Sequence, residues 1–257
     1  SMKPRSIWNG QLKVGELACP VSLYSAATTS ERVSFHLLNR KTGHRLHRQY
    51  VDEESGDPVD KEEQVKGYET AKGQYVSLTQ EEVAHAVPDS DKVLSVEAFV
   101  GCGDVDTVFF DKPYYLAPGE GGEEAFAVIR EGMRARGVAA VAHAVLFRRV
   151  RSLAIRPIGK GLVANTLHFD YEVRPAATAF KSVPALKLSA EMLELARHII
   201  DTKAGSFDPQ KFEDRYDDAL AELVRAKQEG REIKAPKPKA DAKVIDLMEA
   251  LRQSAGA

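Results

Sequence analysis

Cysteine is nearly absent. The 257 residues hold two, Cys19 and Cys102, far apart in the chain. That excludes a disulfide framework and a cysteine-rich zinc site, and both thiols read as inert core groups. No apolar run approaches the ~20 residues of a membrane span. The opening MKPRSIWNG lacks the apolar core of a signal peptide, so the sequence predicts a cytoplasmic protein.

Acid is missing from two long stretches. Between residues 1 and 51 the only carboxylates are Glu16 and Glu31, against Lys3, Arg5, Lys13, Arg32, Arg40, Lys41, Arg45 and Arg48. From 132 to 169 there is none, while Arg134, Arg136, Arg148, Arg149, Arg151, Arg156 and Lys160 are present. The acids are pooled in DEESGDPVDKEE (52–63) and in the C-terminal third, which brings the formal charge to only -2. This separation allows a strongly positive face on a nearly neutral chain.

Enzymatic signatures are also missing. GEGG (119–122) is neither G-x-x-x-x-G-K-[ST] nor G-x-G-x-x-G, and GKG (159–161) lies between two strands, so both read as turns. The Asp104/Asp106 pair reads as solvated surface. The seven histidines show no ligand spacing, and His36, His44 and His47 sit among arginines that would repel a cation. No serine stands in a nucleophile elbow. The sequence therefore predicts no enzyme, no cofactor and no bound metal.

What is present is mostly β structure. Residues 7–14, 21–26, 33–38, 45–51, 74–78 and 93–100 have the length and composition of strands, as do VFF (108–110) and YYLAP (114–118). The turn NRKTGH, with Gly43, makes 33–51 a predicted hairpin with a cationic tip. Thr79 and Glu82 form a capping box for a short helix. EEAFAVIREGMRARG has helical spacing, with Phe126, Ile129 and Met133 on one side and Gly137 as the stop. Three strands follow on short connections (138–147, 150–157, 161–169), an antiparallel meander. Phe109, Phe110, Tyr114 and Tyr115 are expected to pack a barrel. Beyond 187 the chain turns helical: Ser189 caps one helix, and Asp208 with Pro209 starts a second that runs to about Gly230. A Pro/Lys/Ala linker leads to VIDLMEALRQS, where Val244, Leu247, Met248 and Leu251 share one stripe. Cations spread along strands with few aromatics between them suit phosphate contact on duplex nucleic acid without base readout.

SIWNGQLKVGELACPVSLYSA resembles the opening of bacterial Ku proteins, with their R-x-I-W-x-G element and V-P-V-x-L-Y-S-A strand. KGYE (66–69), FFDKPYYLAP (109–118), GGEEAFAVIREGM (121–133), SAEMLELARHIID and FDPQKFEDRYDDALAELVRAK are similar to the same family in the same order. The resemblance implies a mixed, mainly β fold: an antiparallel β-barrel whose extended arms join two copies into a ring, followed by helices and a short tail. The implied division is a core at 1–186 with a bridging arm at about 30–80, a helical region at 187–230, and a linker with terminal helix at 231–257.

The same resemblance implies sequence-independent binding of double-stranded DNA ends by a homodimer in non-homologous end joining, at the nucleoid, with recruitment of an ATP-dependent ligase of the ligase D type. It makes Arg40, Lys41, Arg45, Arg48, Lys66 and Lys72 the arm's DNA-contacting residues. Arg148, Arg149 and Arg151 form a second group. The stripe of Leu247, Met248 and Leu251 is expected either to dock on a partner such as the ligase or to fold back on the barrel. One departure stands out. Many bacterial members carry C-x-x-C-G in the arm, whereas VDEESGDPV keeps Gly56 and has Asp52 and Ser55 in the cysteine positions. The arm is thus expected to hold without metal, its acids turned from DNA. The competing readings are an adaptor that binds another partner through its basic face and, less favoured, a metal-dependent nuclease.

Overall fold

The structure is a computed structural model that describes residues 5–86, 92–232 and 247–256. The chain divides into two compact units, Ser1–Ser30 with His36–Pro175 and Glu31–Phe35 with Ala176–Ala257.

The first unit holds β1 (Trp8–Val14), β2 (Leu17–Ser25), β3 (Lys66–Ala71), β4 (Gln74–Leu78), α1 (Gln80–Ala86), β5 (Val93–Gly101), β6 (Phe110–Pro118), α2 (Glu123–Arg136), β7 (Val138–Leu146), β8 (Arg149–Ile158) and β9 (Gly161–Leu167). Seven of these strands close into a barrel in the order β1-β2-β6-β9-β8-β7-β5, and β3 with β4 forms a separate two-stranded ribbon. Every barrel seam is antiparallel except the closing one, where Gln11, Leu12 and Lys13 of β1 pair in parallel with Val93, Leu94 and Ser95 of β5. Closure leaves no sheet edge open.

Alternation along the strands fills the interior. Leu12, Leu23, Leu94, Leu116, Leu146, Leu153, Ile155 and Leu162 are fully buried, and Ala140, Ala142 and Ala144 take the inward positions of β7. The small β7 row leaves volume for the large side chains of its neighbours. Helix α2 packs against the barrel through Phe126, Ile129 and Met133. Glu123 and Glu124 lie in its first turn and Arg134 and Arg136 in its last, matching the helix dipole. Gly137 ends it in the left-handed conformation at φ 65°. The Arg134 guanidinium reaches the Gly159 carbonyl at 2.6 Å and ties the helix to the β8–β9 turn.

GEGG is indeed a turn, and its glycines answer to packing. A Cβ on Gly122 would lie 2.8 Å from the Pro20 carbonyl oxygen, so only glycine lets this loop pass β2. Of the four aromatics assigned to the barrel, Tyr114 is buried and Phe109 and Phe110 are half-buried, but Tyr115 points outward and is exposed. Strand alternation dictates this, since neighbouring residues cannot both face in. Asp104 and Asp106 serve local turns, accepting from the Gly101 and Val108 N–H groups at 2.9 and 3.0 Å.

The second unit contains α3 (Ala176–Ala179), α4 (Ala190–Thr202), α5 (Arg215–Gln228) and α6 (Leu247–Ala255). The Ser189 hydroxyl caps α4 by accepting from the Met192 N–H at 3.2 Å. Asp217 of α5 accepts from the Val33 N–H at 2.8 Å, which fixes residues 31–35 to this unit.

Three expectations are corrected. The hairpin at 33–51 is not a strand pair; what remains of it is the Leu38–Arg45 bridge with the Asn39 N–H to His44 carbonyl and Leu46 N–H to Leu37 carbonyl bonds on either side. Its apolar residues have no sheet face to pack on, and strand propensity expresses such packing. The helix expected from Pro209 begins instead at Arg215. Asp208 starts only a 3-10 turn, the Phe207 and Phe212 rings pair at 5.4 Å across it, and Asp214 supplies the effective cap by accepting from the Asp217 N–H at 3.0 Å. Cys19 is a core thiol, and burial raises its pKa. Cys102 is not: it sits exposed in the turn that follows β5.

Candidate nucleic-acid interface

The chain leaves the barrel after Ser25 and returns at Val93, and two tight turns stand in the first half of the excursion. In the first, the Asn39 side-chain carbonyl accepts from the Lys41 N–H at 2.9 Å, and the Gly43 N–H bonds the Asn39 carbonyl at 2.8 Å. In the second, the Asp52 carboxylate accepts from the Glu54 and Ser55 N–H groups at 2.9 Å each, and the Gly56 N–H bonds the Asp52 carbonyl at 2.9 Å. Both glycines sit at φ 74°. NRKTGH and DEESGD are therefore one device used twice, an Asx residue opening and a glycine closing each turn. Sequence reasoning read the first copy as a turn and missed the second, although the same pattern was there to find. The Ser55 and Glu54 N–H groups hold the Asp52 carboxyl below its ordinary range. Among the described residues no group of three or more His, Cys, Asp or Glu is placed to hold a metal ion.

The first turn carries Arg40 and Lys41 and the second Glu53 and Glu54, so cations and acids occupy successive tips. Arg45 stands on the bridge to Leu38, with Arg48 three residues on; Lys66 opens β3 opposite Leu78, and Lys72 lies in the β3–β4 turn. All six are exposed. None forms an ion pair with a carboxylate among the described residues, whereas Arg130, Arg134, Arg197, Arg225, Arg231 and Arg252 each do. The arm's positive charge is left free for an outside anion.

Strand register locates the second group. Ser25 pairs with Tyr114 at the upper part of β6, Phe110 pairs with Leu167 at the end of β9, and Leu167 pairs with Ser152 near the start of β8. The β7–β8 tip thus lies at the barrel end from which the arm springs. Arg148 is at the apex of that tip and Arg149 begins β8; both are exposed, and neither has a carboxylate partner among the described residues. Arg151 is half-buried, because it continues the inward row of Leu153 and Ile155 to the barrel mouth. There it lies close enough to Tyr114 to oppose the rise in that phenol's pKa, which comes first from burial and then from Asp111.

The acid-free run 132–169 does not form one patch. β8 crosses the barrel, so Arg156 and Lys160 lie toward the opposite end from Arg148 and Arg149. Arg134 spends its charge on Glu131 and the Gly159 carbonyl.

The terminal stripe is engaged inside its own unit. α6 packs on α4, with Met248 and Leu251 half-buried and Arg252 paired to Glu191 at 2.9 Å. It does not stand free; Val244 and the Leu247 side chain lie outside what the structure describes.

Comparison with known proteins agrees over nearly the whole chain. Residues 13–195 match the family model described as the Ku70/Ku80 beta-barrel domain. A protein of Cereibacter sphaeroides named non-homologous end joining protein Ku is 58% identical over 256 residues, 99% of this chain and 96% of that protein. Proteins of the same name from Bradyrhizobium sp. and Methylocella silvestris are 43% and 38% identical, each over 99% of this chain and over 88% and 97% of their own lengths.

Proposed function

The chain belongs to the Ku family, a non-enzymatic family, and on that premise we propose that it binds double-stranded DNA ends as a homodimer in non-homologous end joining. The observation that carries this is the set of exposed, unpaired cations shared between the arm and the barrel end beneath it: Arg40, Lys41, Arg45, Arg48, Lys66 and Lys72 with Arg148 and Arg149. Such charges act on phosphate whatever the base sequence, through Coulomb attraction and release of condensed counterions. That suits a factor that must accept any broken end. Arg151 belongs to the same group by position, its half-burial making it the one that shapes the barrel mouth.

A second copy of the chain is the natural cover for the arm. β3 and β4 contain no buried residue, and a two-stranded ribbon is at best marginal alone in water. Tyr68 is 68% and Tyr75 66% exposed, and Leu37, Leu38, Leu46 and Tyr50 of the same arm are exposed too. Apolar surface of this extent calls for a partner, and two arms closing on each other would complete a ring around the duplex.

The helical region and tail are assigned to the ligase. Met248 and Leu251 of α6 would present the ATP-dependent ligase D with a surface formed jointly with α4, and Leu247 is the third residue of the stripe assigned to it. Removing residues 231–257 is expected to leave affinity for linear duplex within twofold and to abolish stimulation of the ligase. A truncated protein that still stimulates the ligase, or one that no longer binds duplex, would refute the assignment.

A further inference from the structure

β7 ends at Leu146 and β8 begins at Arg149, so Phe147 and Arg148 alone make the connection. Both have positive φ, 54° and 64°. A two-residue hairpin with both positions left-handed is the mirror-image turn that matches strand twist, and it strongly favours Asn-Gly. The chain follows that preference elsewhere. Its other two-residue hairpins each place a glycine at positive φ: Gly15 between β1 and β2, Gly73 between β3 and β4, and Gly159 between β8 and β9. At β7–β8 two bulky side chains occupy a conformation that L-residues resist.

The fold gains little from them in return. Phe147 is 52% exposed and its ring meets Tyr114 only at 6.1 Å between centroids, tilted by 36°. Arg148 is exposed and has no carboxylate partner among the described residues. Strain kept without local compensation marks a position selected for something other than stability. The tip stands beside Arg149, at the barrel end that also carries the base of the arm. Resting on the reading of this surface as a duplex-binding face, we infer that the Phe147–Arg148 tip is a rigid contact element, strained in the free protein, whose ring lies against the sugar or base face of the duplex while the guanidinium takes a phosphate. A two-residue turn has no slack, so both side chains are held outward before DNA arrives and little ordering cost remains to be met on binding.

The test is the double substitution Phe147→Asn with Arg148→Gly, which installs the residues the turn favours. Melting temperature is expected to rise by about 2–4 °C, net of the chain entropy that glycine adds to the unfolded state. Affinity for linear duplex is expected to fall roughly tenfold, and the slope of log affinity against log salt by about 0.9 per bound chain. Phe147→Ala alone should weaken binding with the slope unchanged, since a ring releases no counterion. A double variant that binds duplex as the unsubstituted protein does, with the same slope, overturns the inference. So does one that melts no higher, for then no strain is stored at the tip. If the unsubstituted protein fails to bind linear duplex at all, the DNA reading falls and takes this inference with it; if it binds and only the variants are unaffected, the inference alone is wrong.

Discussion

Replacing Arg45 and Arg48 together by alanine lowers affinity for linear duplex by roughly tenfold to a hundredfold, and by the same factor on every sequence. Both side chains are exposed and neither has a carboxylate partner among the described residues. The substitution therefore strands no buried charge and should leave the melting temperature where it was. What it removes is phosphate neutralisation. The slope of log affinity against log salt should fall by about 1.8 per bound chain if each arginine displaces its own counterions. A filter-binding titration across salt concentrations measures both quantities at once. Unchanged affinity would remove the arm from the interface, and a loss confined to certain sequences would mean base readout in place of backbone contact.

The second large effect is on stability. Phe126 is 1% exposed and carries the largest of the fully buried side chains, fixing α2 against the barrel with Ile129 and Met133. Phe126→Ala should cost about 3–5 kcal/mol, the transfer of the ring plus the cavity it leaves. Val128 sits two residues away on the same helix but is 61% exposed, so Val128→Ala should change stability by no more than about 0.5 kcal/mol. Urea unfolding of the two variants checks the contrast. Equal losses would mean that α2 does not pack by the face the structure gives it.

Much of the barrel is legible in the sequence. β5 announces itself by alternation, β7, β8 and β9 by consecutive strand-like runs on short connections, and α2 by its 126/129/133 spacing and the glycine that stops it. These are local signals, set by which residues face a core. The closing seam between β1 and β5 had none, because a parallel pairing of segments some eighty residues apart leaves no mark on either. The arm failed for a related reason. VSFHLL has strand composition, yet a strand needs a neighbour and a covered face, and within one chain residues 33–51 have little of either. Asp208-Pro209 is a good helix-opening signal on its own and predicts too early a start for α5; the Phe207–Phe212 ring contact and the Asp214 cap move it to Arg215.

The candidate interface was legible as a charge pattern and illegible as a surface. Arg40 to Arg48 do stay together, since tight turns keep neighbours near. The acid-free run 132–169 is divided by β8, which carries Arg149 to one end of the barrel and Arg156 toward the other. The Phe147–Arg148 tip left no trace at all, because the residues that would have signalled a left-handed turn are the ones it lacks.

The central claim is that this protein holds a DNA duplex by its end, and one measurement addresses it directly. Linear duplex and a covalently closed circle of the same sequence and length are titrated side by side at equal salt. A protein that must be threaded from an end binds the linear form and leaves the closed circle free, gaining the circle only once a nuclease has opened it. Equal affinity for the two forms would contradict the account, leaving a basic surface that binds duplex anywhere along its length.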